Sequence, residues 1–563
     1  MSLIRDAPLG QLLRWVTGNR VLLYPEEDPS FALERETREG TPTEKSNSQL
    51  NSPCPSSEGL HNSFARKGEE SKHMVGWYGD NDSSHPRNWT TWKKRLVALQ
   101  IWYEFKYTFP FRIKKSPSST ICSSLYTFVV YCGSSIYVPA EPQIMEQFHV
   151  SQTKASLGLA LYVLGYGIGP LLFSPLSEIP ALGRNVPYLS SFVIFVIISV
   201  PTALVENYPG LMILRFLQGF FGSPCLASGG ASMADMYADI DIPMGLTGWV
   251  AAAYGGPALG PLLSAYSVPV KGWRWAMWEI LWMSGPVLII MLVFLPETSA
   301  DNILLRRAQR IRRTTNNPNI RSHCEISQEH STFWGLMGFS LVKPMEIMFK
   351  DPAILFTNIY TSLVYGIYYS FFESFPLVYP VIYGFSPGQS GLVFVSLAVA
   401  CGIGIVAYIT YLYTYMIPDL KKHGHRSQEH RLIPAVIASL FPPVGLSLFA
   451  WTSRESIHWI VGIIGILLYA AAVFIIFQCI FVYIPLVYPR YAASLFAGND
   501  FSRSAFAFAF ILFSRFIFVN LGIGKGVTVL AGLSVLGILG MVVLYFYGGK
   551  LRARSKFTET KDV

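Results

Sequence analysis

Charged side chains are scarce in this sequence, since Asp, Glu, Lys and Arg make up 14% of its 563 residues while 51% are hydrophobic. A soluble domain of this length would need many more charged residues at its surface. Histidine is also rare, with 10 residues, and no group of nucleophile, base or metal ligands converges in the apolar segments. The composition therefore indicates a membrane protein and argues against an enzyme or a metal site.

Cysteine pairs with the spacing of a disulfide framework or a zinc site are also lacking. The seven cysteines lie mostly inside apolar segments, where they act as small hydrophobic residues. The formal charge is +9, but Lys and Arg lie between apolar segments and do not form one stripe. This distribution argues against nucleic-acid binding and favours a membrane protein with basic loops on one side.

What the sequence has instead is a series of twelve apolar segments, each about 20 residues long, which is the length needed to cross a bilayer as a helix. Six of them form a predicted N-terminal lobe, residues 120–295, and six a C-terminal lobe, residues 351–547. We predict an all-α polytopic membrane protein with two six-helix lobes, the architecture of transporters whose substrate site lies between the lobes. The predicted spans are residues 120–139, 155–174, 187–205, 210–234, 243–266, 275–295, 353–376, 388–412, 432–451, 457–482, 491–515 and 526–547.

The remaining segments carry most of the Lys and Arg residues, which places them in the cytoplasm by the positive-inside rule. They are a largely disordered N-terminal tail (1–119), a basic central loop (296–350) and a C-terminal tail (548–563). Residues 1–20 contain an amphipathic pattern that could form a helix on the inner membrane face or simply belong to the tail. The basic run 305–313 predicts a helix along the inner surface.

Between the second and third spans, Glu178, Gly183 and Arg184 form a tight charged turn. An acid and an arginine at such a turn can act as a latch, because their ion pairs break and re-form when the lobes rock. Asp235, at the end of the fourth span, is the expected partner. An ordinary charged loop is the alternative interpretation.

Two further motifs lie inside spans. Arg215 interrupts the fourth span, where an arginine is costly unless it is paired or hydrated, and this predicts either a functional site or a packing role through backbone carbonyls. In the fifth span, prolines bend the helix and glycines permit close approach of a neighbour, which could also be a mere packing kink. The residues of this second motif are Gly255, Gly256, Pro257, Gly260 and Pro261.

Buried acids are candidates for proton carriage, since a carboxyl group in a low-dielectric site can take up a proton. Glu373 in the seventh span is the first choice, because no basic residue neighbours it in sequence. Asp500 in the eleventh span could instead be neutralised by Arg503, and Glu279 in the sixth is a third candidate. A substrate cavity is predicted to be lined by aromatic and amide side chains, namely Tyr360, Tyr365, Tyr368, Tyr369, Phe372 and Gln478.

These motifs resemble those of the major facilitator superfamily. The segment 174–184 is similar to its signature loop, with Glu178 where Asp is more usual, 211–219 to its fourth-helix motif, and 255–261 to its antiporter motif. From about residue 76 onward the chain looks like a fungal drug:proton antiporter of the twelve-span branch, in the azole and benomyl resistance subgroup. The segments that carry this likeness are 135–139, 161–170, 272–275, 295–298, 371–376, 491–494, 499–500 and 550–556.

The resemblance implies export of small organic compounds, such as drugs, fungicides or secondary-metabolite toxins, by alternating access. The energy source would be the proton gradient, with Arg215 in the coupling and no cofactor, so Arg215→Ala is expected to fold but to lose export. A plasma-membrane monomer in contact with lipid and a small-molecule substrate is expected. A proton-coupled uptake or polyamine carrier of the same fold is the alternative, although the antiporter motif in the fifth span argues against it.

Overall fold

The computed structural model describes residues 2–27, 74–78, 82–90, 93–94, 122–237, 241–327, 333–424, 426–488 and 492–554. These residues form helices almost throughout, and one short pair of strands. In the first half of the chain the helices are α1 Ser2–Asp6, α2 Pro8–Val16, α3 Cys122–Ser135, α4 Glu141–Phe148, α5 Gln152–Glu178, α6 Asn185–Leu204, α7 Tyr208–Gly222, α8 Pro224–Met236, α9 Ile242–Lys271, α10 Trp273–Phe294, α11 Ala300–Thr315 and α12 His323–Ser327.

The second half continues with eight α-helices among the described residues: α13 Phe333–Lys350, α14 Pro352–Val378, α15 Pro387–Tyr411, α16 Ile417–His423, α17 Ile433–Ala438, α18 Phe441–Thr452, α19 Trp459–Val487 and α20 Ala492–Arg554. A π-helical turn, Leu412–Met416, joins α15 to α16. Short 3-10 turns are Pro25–Glu27, Pro86–Asn88, Val138–Ala140 and Gln428–Leu432. The strands β1 Met74–Val75 and β2 Arg321–Ser322 pair in parallel.

Eight helices of the described part of the chain are long and apolar enough to cross a membrane. They cover nine of the twelve predicted spans, because the last one, Ala493–Leu551, bends at Gly522 and contains two of them. Gly522 has φ 78° and ψ 157°, a backbone conformation that glycine adopts without steric cost. The other three predicted spans fall on α3, α9 and α14, so their crossing of a membrane stays a prediction.

The two halves of the chain pack against each other along the lengths of their helices. Helix α20 lies against α14 of its own half and against α5 of the first half, while α9 lies against α15. We call the end of the bundle at which α11 packs the linker end, and the opposite end the far end. Helix α5 begins at the far end with Gln152 and finishes at the linker end with Glu178.

The basic run of the central loop forms the predicted helix, α11. Parts of the N-terminal tail pack against its buried face, since Val75 joins Ala308, Ile311 and Ile320 in a small apolar cluster. Residues 28–73 and 95–121, where most of the predicted disorder falls, lie outside the described residues. The described parts of the tail are thus held against the linker helix.

Arg307 is the centre of this contact, with 1% of its side chain exposed. Its guanidinium lies 2.9 Å from Glu26 Oε1 and 2.8 Å from Asp82 Oδ2. The rings of Trp77 and Tyr78 cover it at 5.4 Å and 4.3 Å from their centroids. Two distant tail segments therefore meet on one arginine of the linker helix.

Helix α2 extends this tail toward the spanning helices, because it contacts α10. Its amphipathic pattern leaves apolar side chains on the exterior, with Trp15 78% and Leu12 56% exposed. The predicted N-terminal helix is therefore present, and its apolar face is not covered by the described part of the chain.

Candidate functional site

A small cavity of about 20 Å³ lies between the two halves of the chain. Helices α3 and α9 form one wall, and α14, α19 and α20 form the other. Of the predicted cavity residues, Tyr365 and Tyr368 line it. The remaining lining residues are Tyr131, Trp249, Val250, Ala253, Tyr254, Phe477, Phe481 and Arg503.

The charged group in this aromatic wall is Arg503, which forms a buried ion pair with Asp500 one turn earlier on α20. Its guanidinium lies 5.0 Å from the ring centroid of Tyr365 and 5.2 Å from that of Phe481. Asp500 Oδ1 takes part in the pair, while the buried Oδ2 has no hydrogen-bond partner among the described residues. The cavity wall therefore carries a compensated charge that a proton or a substrate could unbalance.

A network of tyrosine hydroxyls closes the space beside the cavity. Tyr166 on α5 lies 2.6 Å from the hydroxyl of Tyr365 and 2.8 Å from that of Tyr369 on α14. The Tyr369 hydroxyl is also 3.4 Å from Ser134 Oγ on α3. Tyr369, predicted as a lining residue, instead links the two halves next to the cavity.

Three other predicted cavity residues lie elsewhere. Tyr360 stacks on Phe356 and faces Gly537, on the opposite side of α14 from Tyr365. Phe372 shares the cavity face of α14, but it lies one turn beyond Tyr368 and stacks on Phe394. Gln478 donates hydrogen bonds to Pro243 O (2.9 Å) and Thr247 Oγ1 (3.0 Å), so its amide binds α9 to α19.

At the linker end, the charged turn after α5 contacts both halves. Ser494, near the start of α20, donates a hydrogen bond of 3.0 Å to Glu178 Oε2. Arg184 Nε lies 3.1 Å from Asp235 Oδ2, within the first half. The structure thus places the predicted latch residues together. Glu178 contacts Ser494 of the second half of the chain, whereas Arg184 pairs with Asp235 within the first half.

Glu297, which sequence reasoning did not single out as a site residue, organises this turn. Its carboxylate accepts backbone N–H bonds from Arg184 and Asn185, at 2.9 and 3.1 Å, at the start of α6. Gly183 has φ 71°, and a Cβ there would lie 2.5 Å from Glu297 Oε2. Only glycine fits this approach without strain. The sequence did hold a signal that could have identified Glu297. It is an acid directly after a predicted span, opposite a Gly-Arg turn.

At the far end, Glu373 on α14 is 2% exposed and lies 3.8 Å from Arg515 of α20. The halves touch here as well, since a Cβ on Gly391 of α15 would meet Ala265 of α9 at 2.5 Å. Glu279, the third candidate acid, is half-buried on α10, and its buried Oε2 has no hydrogen-bond partner among the described residues. The two halves therefore touch at both ends of the bundle.

Arg215 on α7 is fully buried and binds backbone carbonyls. It donates to Gly158 O on α5 (3.2 Å), and to Gly133 O (3.0 Å) and Ser134 O (3.1 Å) on α3. The ring of Tyr162 covers it at 4.4 Å. Within the described part of the chain no carboxylate pairs with it, so this geometry matches the packing role left open by the sequence.

The glycines of the fifth-span motif pack α9 onto α3. A Cβ on Gly256 would lie 2.7 Å from Tyr131 Cβ, and one on Gly260 would lie 2.2 Å from Ser135 Oγ. Gly255 has more room, since its nearest neighbour would be Phe128 at 3.8 Å. Pro257 and Pro261 lie inside the helix, each directly after one of these two close-packed glycines.

No group of three or more His, Cys, Asp or Glu side chains that could hold a metal ion occurs among the described residues. What the site offers chemically is aromatic surface, one buried ion pair and buried carboxyl groups.

Comparisons with known proteins agree on the family. Residues 124–502 match the family model described as Major Facilitator Superfamily. The chain is 41% identical to the MFS-type transporter pyvG of Aspergillus violaceofuscus, over 99% of both chains. It is 35% identical to the cycloheximide resistance protein of Candida maltosa, again over 99% of both.

A third relative is fluconazole resistance protein 1 of Saccharomyces cerevisiae, 36% identical over 86% of this chain and 85% of that protein. Among solved structures, the fold is similar to an MFS proton:xylose symporter with a TM-score of 0.56. That match covers 75% of this chain and 94% of the symporter at 14% identity, so it bears on the fold alone.

Proposed function

The chain belongs to the major facilitator superfamily, and on that premise we propose that it exports small organic compounds in exchange for protons. The proposed mechanism is alternating access, in which two six-helix lobes, residues 120–295 and 351–547, rock about the central cavity. Relatives named for resistance to cycloheximide and fluconazole support drugs or similar toxins as the substrate class.

The observation that carries this proposal is the small aromatic cavity with the Asp500–Arg503 pair at its wall. Aromatic rings bind apolar surfaces by burial and organic cations through their π faces. In this state the cavity has room for about one water molecule, so a compound would enter it only when the halves move apart. Contacts between the halves at the linker end and at the far end are those that alternating access would open in turn.

Proton coupling is proposed for Asp500 and Glu373. While Asp500 is ionised it compensates Arg503, so the cavity accepts a neutral or cationic compound. A proton on Asp500 would leave the charge of Arg503 uncompensated and would repel a cation from the cavity. Proton and substrate then compete for one site, which is the requirement for exchange. Arg215 is proposed to contribute indirectly, by fixing the helices around this site.

The proposed topology has twelve spans, with the linker end, the N-terminal tail and the C-terminal tail in the cytoplasm. The concentration of Lys and Arg in these segments supports it. We propose that the protein works as a monomer in the plasma membrane, with a cytoplasmic latch formed by Glu178, Gly183, Arg184 and Asp235.

Purified protein in sealed vesicles with an imposed pH difference tests the function. Vesicles with the linker end outward should accumulate a fluorescent organic cation when the lumen is acidic, and a protonophore should abolish the accumulation. Asp500→Asn should lose this pH dependence, whereas Glu455→Gln, at an exposed position between α18 and α19, should match the wild type. Accumulation driven by the opposite gradient would favour an uptake carrier, and its absence with a panel of compounds would reject transport.

A further inference from the structure

Helix α2 turns its apolar face outward and its polar face toward the rest of the tail. We define the apolar face as Leu9, Leu12, Leu13, Trp15 and Val16, all of which are exposed, with Trp15 at 78% and Val16 at 67%. A helix on the surface of a soluble domain has the opposite arrangement, with its apolar stripe toward the core. A continuous exposed apolar surface of this kind indicates a binding partner outside the described part of the chain.

Hydrogen bonds on the opposite side of α2 fix this orientation. Arg14 is 4% exposed and donates to Leu22 O at 2.6 Å and to Glu27 Oε1 at 2.5 Å. Gln11 Nε2 donates to the hydroxyl of Tyr24 at 2.9 Å. The segment that follows α2 therefore folds back along its polar face, and the apolar face has to point away from it.

The same segment attaches α2 to the linker helix. Glu26 Oε1 lies 2.9 Å from Arg307 Nε, and the ring of Tyr24 covers the guanidinium of Arg310 at 3.7 Å from its centroid. Helix α11 follows α10 after a short connection, so a tail that is bound to α11 reaches α10 at the linker end. The contact between α2 and α10 therefore lies where α10 leaves the membrane.

The exterior of α10 shows what covers the apolar face of α2. Helix α10 is long and apolar enough to span a membrane, and its side chains Trp282 and Ile289 are 51% and 63% exposed. In a membrane protein such side chains face lipid. Because α2 contacts this helix, its apolar face continues the lipid-facing surface at the linker end. Trp15 suits this position, since tryptophan is enriched at the boundary between membrane and water.

The charges of this tail segment are compatible with a lipid surface. None of the three acids between residues 4 and 27 is exposed: Asp6 lies 2.7 Å from Lys93 Nζ, while Glu26 and Glu27 form the contacts with Arg307 and Arg14 described above. Arg20, just after α2, is exposed. The segment therefore presents apolar groups and a cation to the membrane and keeps its carboxylates in internal ion pairs.

We propose that α2 is an interfacial anchor, which lies in the membrane surface at the linker end beside α10. A helix of this type buries its apolar face about 5–10 Å into the boundary between headgroups and acyl chains. Its polar face then holds the tail, and through the tail the linker helix α11, at the membrane surface. The inference requires a membrane-spanning bundle, but it depends neither on proton exchange nor on the direction of transport.

Spin-label accessibility in full-length protein tests the anchor without transport. Val16→Cys places a nitroxide on the apolar face, Ile289→Cys places one on the lipid-facing side of α10, and Ser83→Cys places one at an exposed position of the docked tail. The described cysteine side chains are buried, and Cys54→Ser and Cys122→Ser remove the two that lie outside the description. Vesicles of phosphatidylcholine and phosphatidylserine serve as the membrane. Oxygen concentrates among acyl chains and a nickel chelate stays in water, so the ratio of their relaxation effects reports the depth of the label.

The label at Val16 should give a high ratio of oxygen to nickel accessibility, as at Ile289, whereas the label at Ser83 should give a low one. Leu12→Glu adds a charge to the apolar face, and a charge is costly at membrane depth, so the ratio at Val16 should fall to the level of Ser83. Leu12→Met keeps the volume and the apolar character and should leave the ratio unchanged. Protection of residues 74–90 from proteolysis should be the same in both variants, since the contacts with α11 remain.

A wild-type Val16 label that is as open to nickel as the Ser83 label would overturn the anchor. An immobilised label that neither reagent reaches would also overturn it, because protein would then cover the apolar face. Dipolar broadening that disappears on dilution with unlabelled protein would identify that cover as a second copy of the chain. Should Leu12→Glu lose the protection of the tail, Trp15→Glu takes its place, and the wild-type ratio at Val16 decides by itself. A deep label in protein that transports nothing supports the anchor and rejects the exporter, while transport with a label in water does the reverse.

Discussion

The hydroxyl of Ser494 donates a hydrogen bond of 3.0 Å to Glu178 Oε2 and so joins the two halves of the chain at the linker end. Glu178 is the last residue of α5, and Ser494 lies in the first turn of α20. Gln478, which binds Pro243 and Thr247, adds a second connection at the same end. Opening the cavity toward the linker end requires both connections to break.

Removal of the Glu178–Ser494 bond should therefore loosen the linker end. A hydrogen bond to a charged group contributes about 1.5 kcal/mol, so Glu178→Ala should speed hydrogen–deuterium exchange at the start of α20 by about tenfold. Ser494→Ala should have the same effect, since it removes the donor of that bond. Ser190→Ala is the control, because its hydroxyl binds Val186 O within α6. Faster exchange in the Glu178 variant alone would show that another contact is responsible.

Substitution of Arg215 can distinguish a role in helix packing from a role in proton coupling. Because its guanidinium satisfies carbonyls on α3 and α5, Arg215→Ala would leave buried acceptors unpaired at a cost of about 1–3 kcal/mol each. We expect a lower unfolding temperature in detergent together with lost transport, and partial recovery of both in Arg215→Lys. The earlier expectation from the family resemblance, normal folding with lost export, is the opposing outcome. An unchanged unfolding temperature would return Arg215 to the coupling mechanism.

The contact between the N-terminal tail and α11 should depend on Arg307. Breaking a buried ion pair by removing one partner costs about 3 kcal/mol or more, so Arg307→Leu should release residues 74–90 to limited proteolysis. Arg313→Leu, at an exposed position of the same helix, should leave cleavage unchanged. Equal protection in both variants would show that the apolar cluster around Val75 suffices to hold the tail.

The same contact has a predictable response to acid. Burial alone would raise the pKa of Asp82, but hydrogen bonds from Arg307 and from the backbone of Tyr78 and Ser84 lower that pKa to about 2. A carboxyl group with a depressed pKa contributes its full stabilisation above its unfolded value of about 4 and loses it as the pH falls toward 2. Protection of the tail should thus be constant from neutral pH down to about pH 5 and weaken below about pH 4.

Much of the helical layout was predictable, because an apolar run of about 20 residues has few alternatives to a spanning helix. Family membership was predictable too, since the motifs around Arg184, Arg215 and Pro257 combine specific residues with fixed spacing. The docked tail was not predictable. Its contacts join Glu26 and Asp82 to Arg307, more than 200 positions away, and no local pattern encodes such pairs.

The cavity was predictable only in part, for a geometric reason. Helical periodicity places Tyr365, Tyr368 and Phe372 on one face of α14 and Tyr360 on another, but it does not say which face meets the cavity or at which height. Glu141, a buried acid at the start of α4 that is 4% exposed, was not singled out because it lies just outside the apolar segments in which a lone acid stands out. Its burial depends on α5, where Gln152 and Ser156 bind its carboxyl group.

The fifth-span motif offers a matched pair of glycines for the last test. A Cβ at Gly260 would lie 2.2 Å from Ser135 Oγ and 2.8 Å from Cys132 O, so Gly260→Ala must push α9 away from α3. Overpacking of this kind costs about 1–3 kcal/mol, and we expect a lower unfolding temperature and weaker transport. Gly255→Ala adds the same methyl group on the same helix, but its nearest contact would be Phe128 at 3.8 Å. The Gly255→Ala variant should be as stable as the wild type or slightly more stable, because alanine favours a helix over glycine by about 1 kcal/mol. Equal damage from both substitutions would mean that the motif depends on backbone flexibility and not on the close contact of α3 with α9.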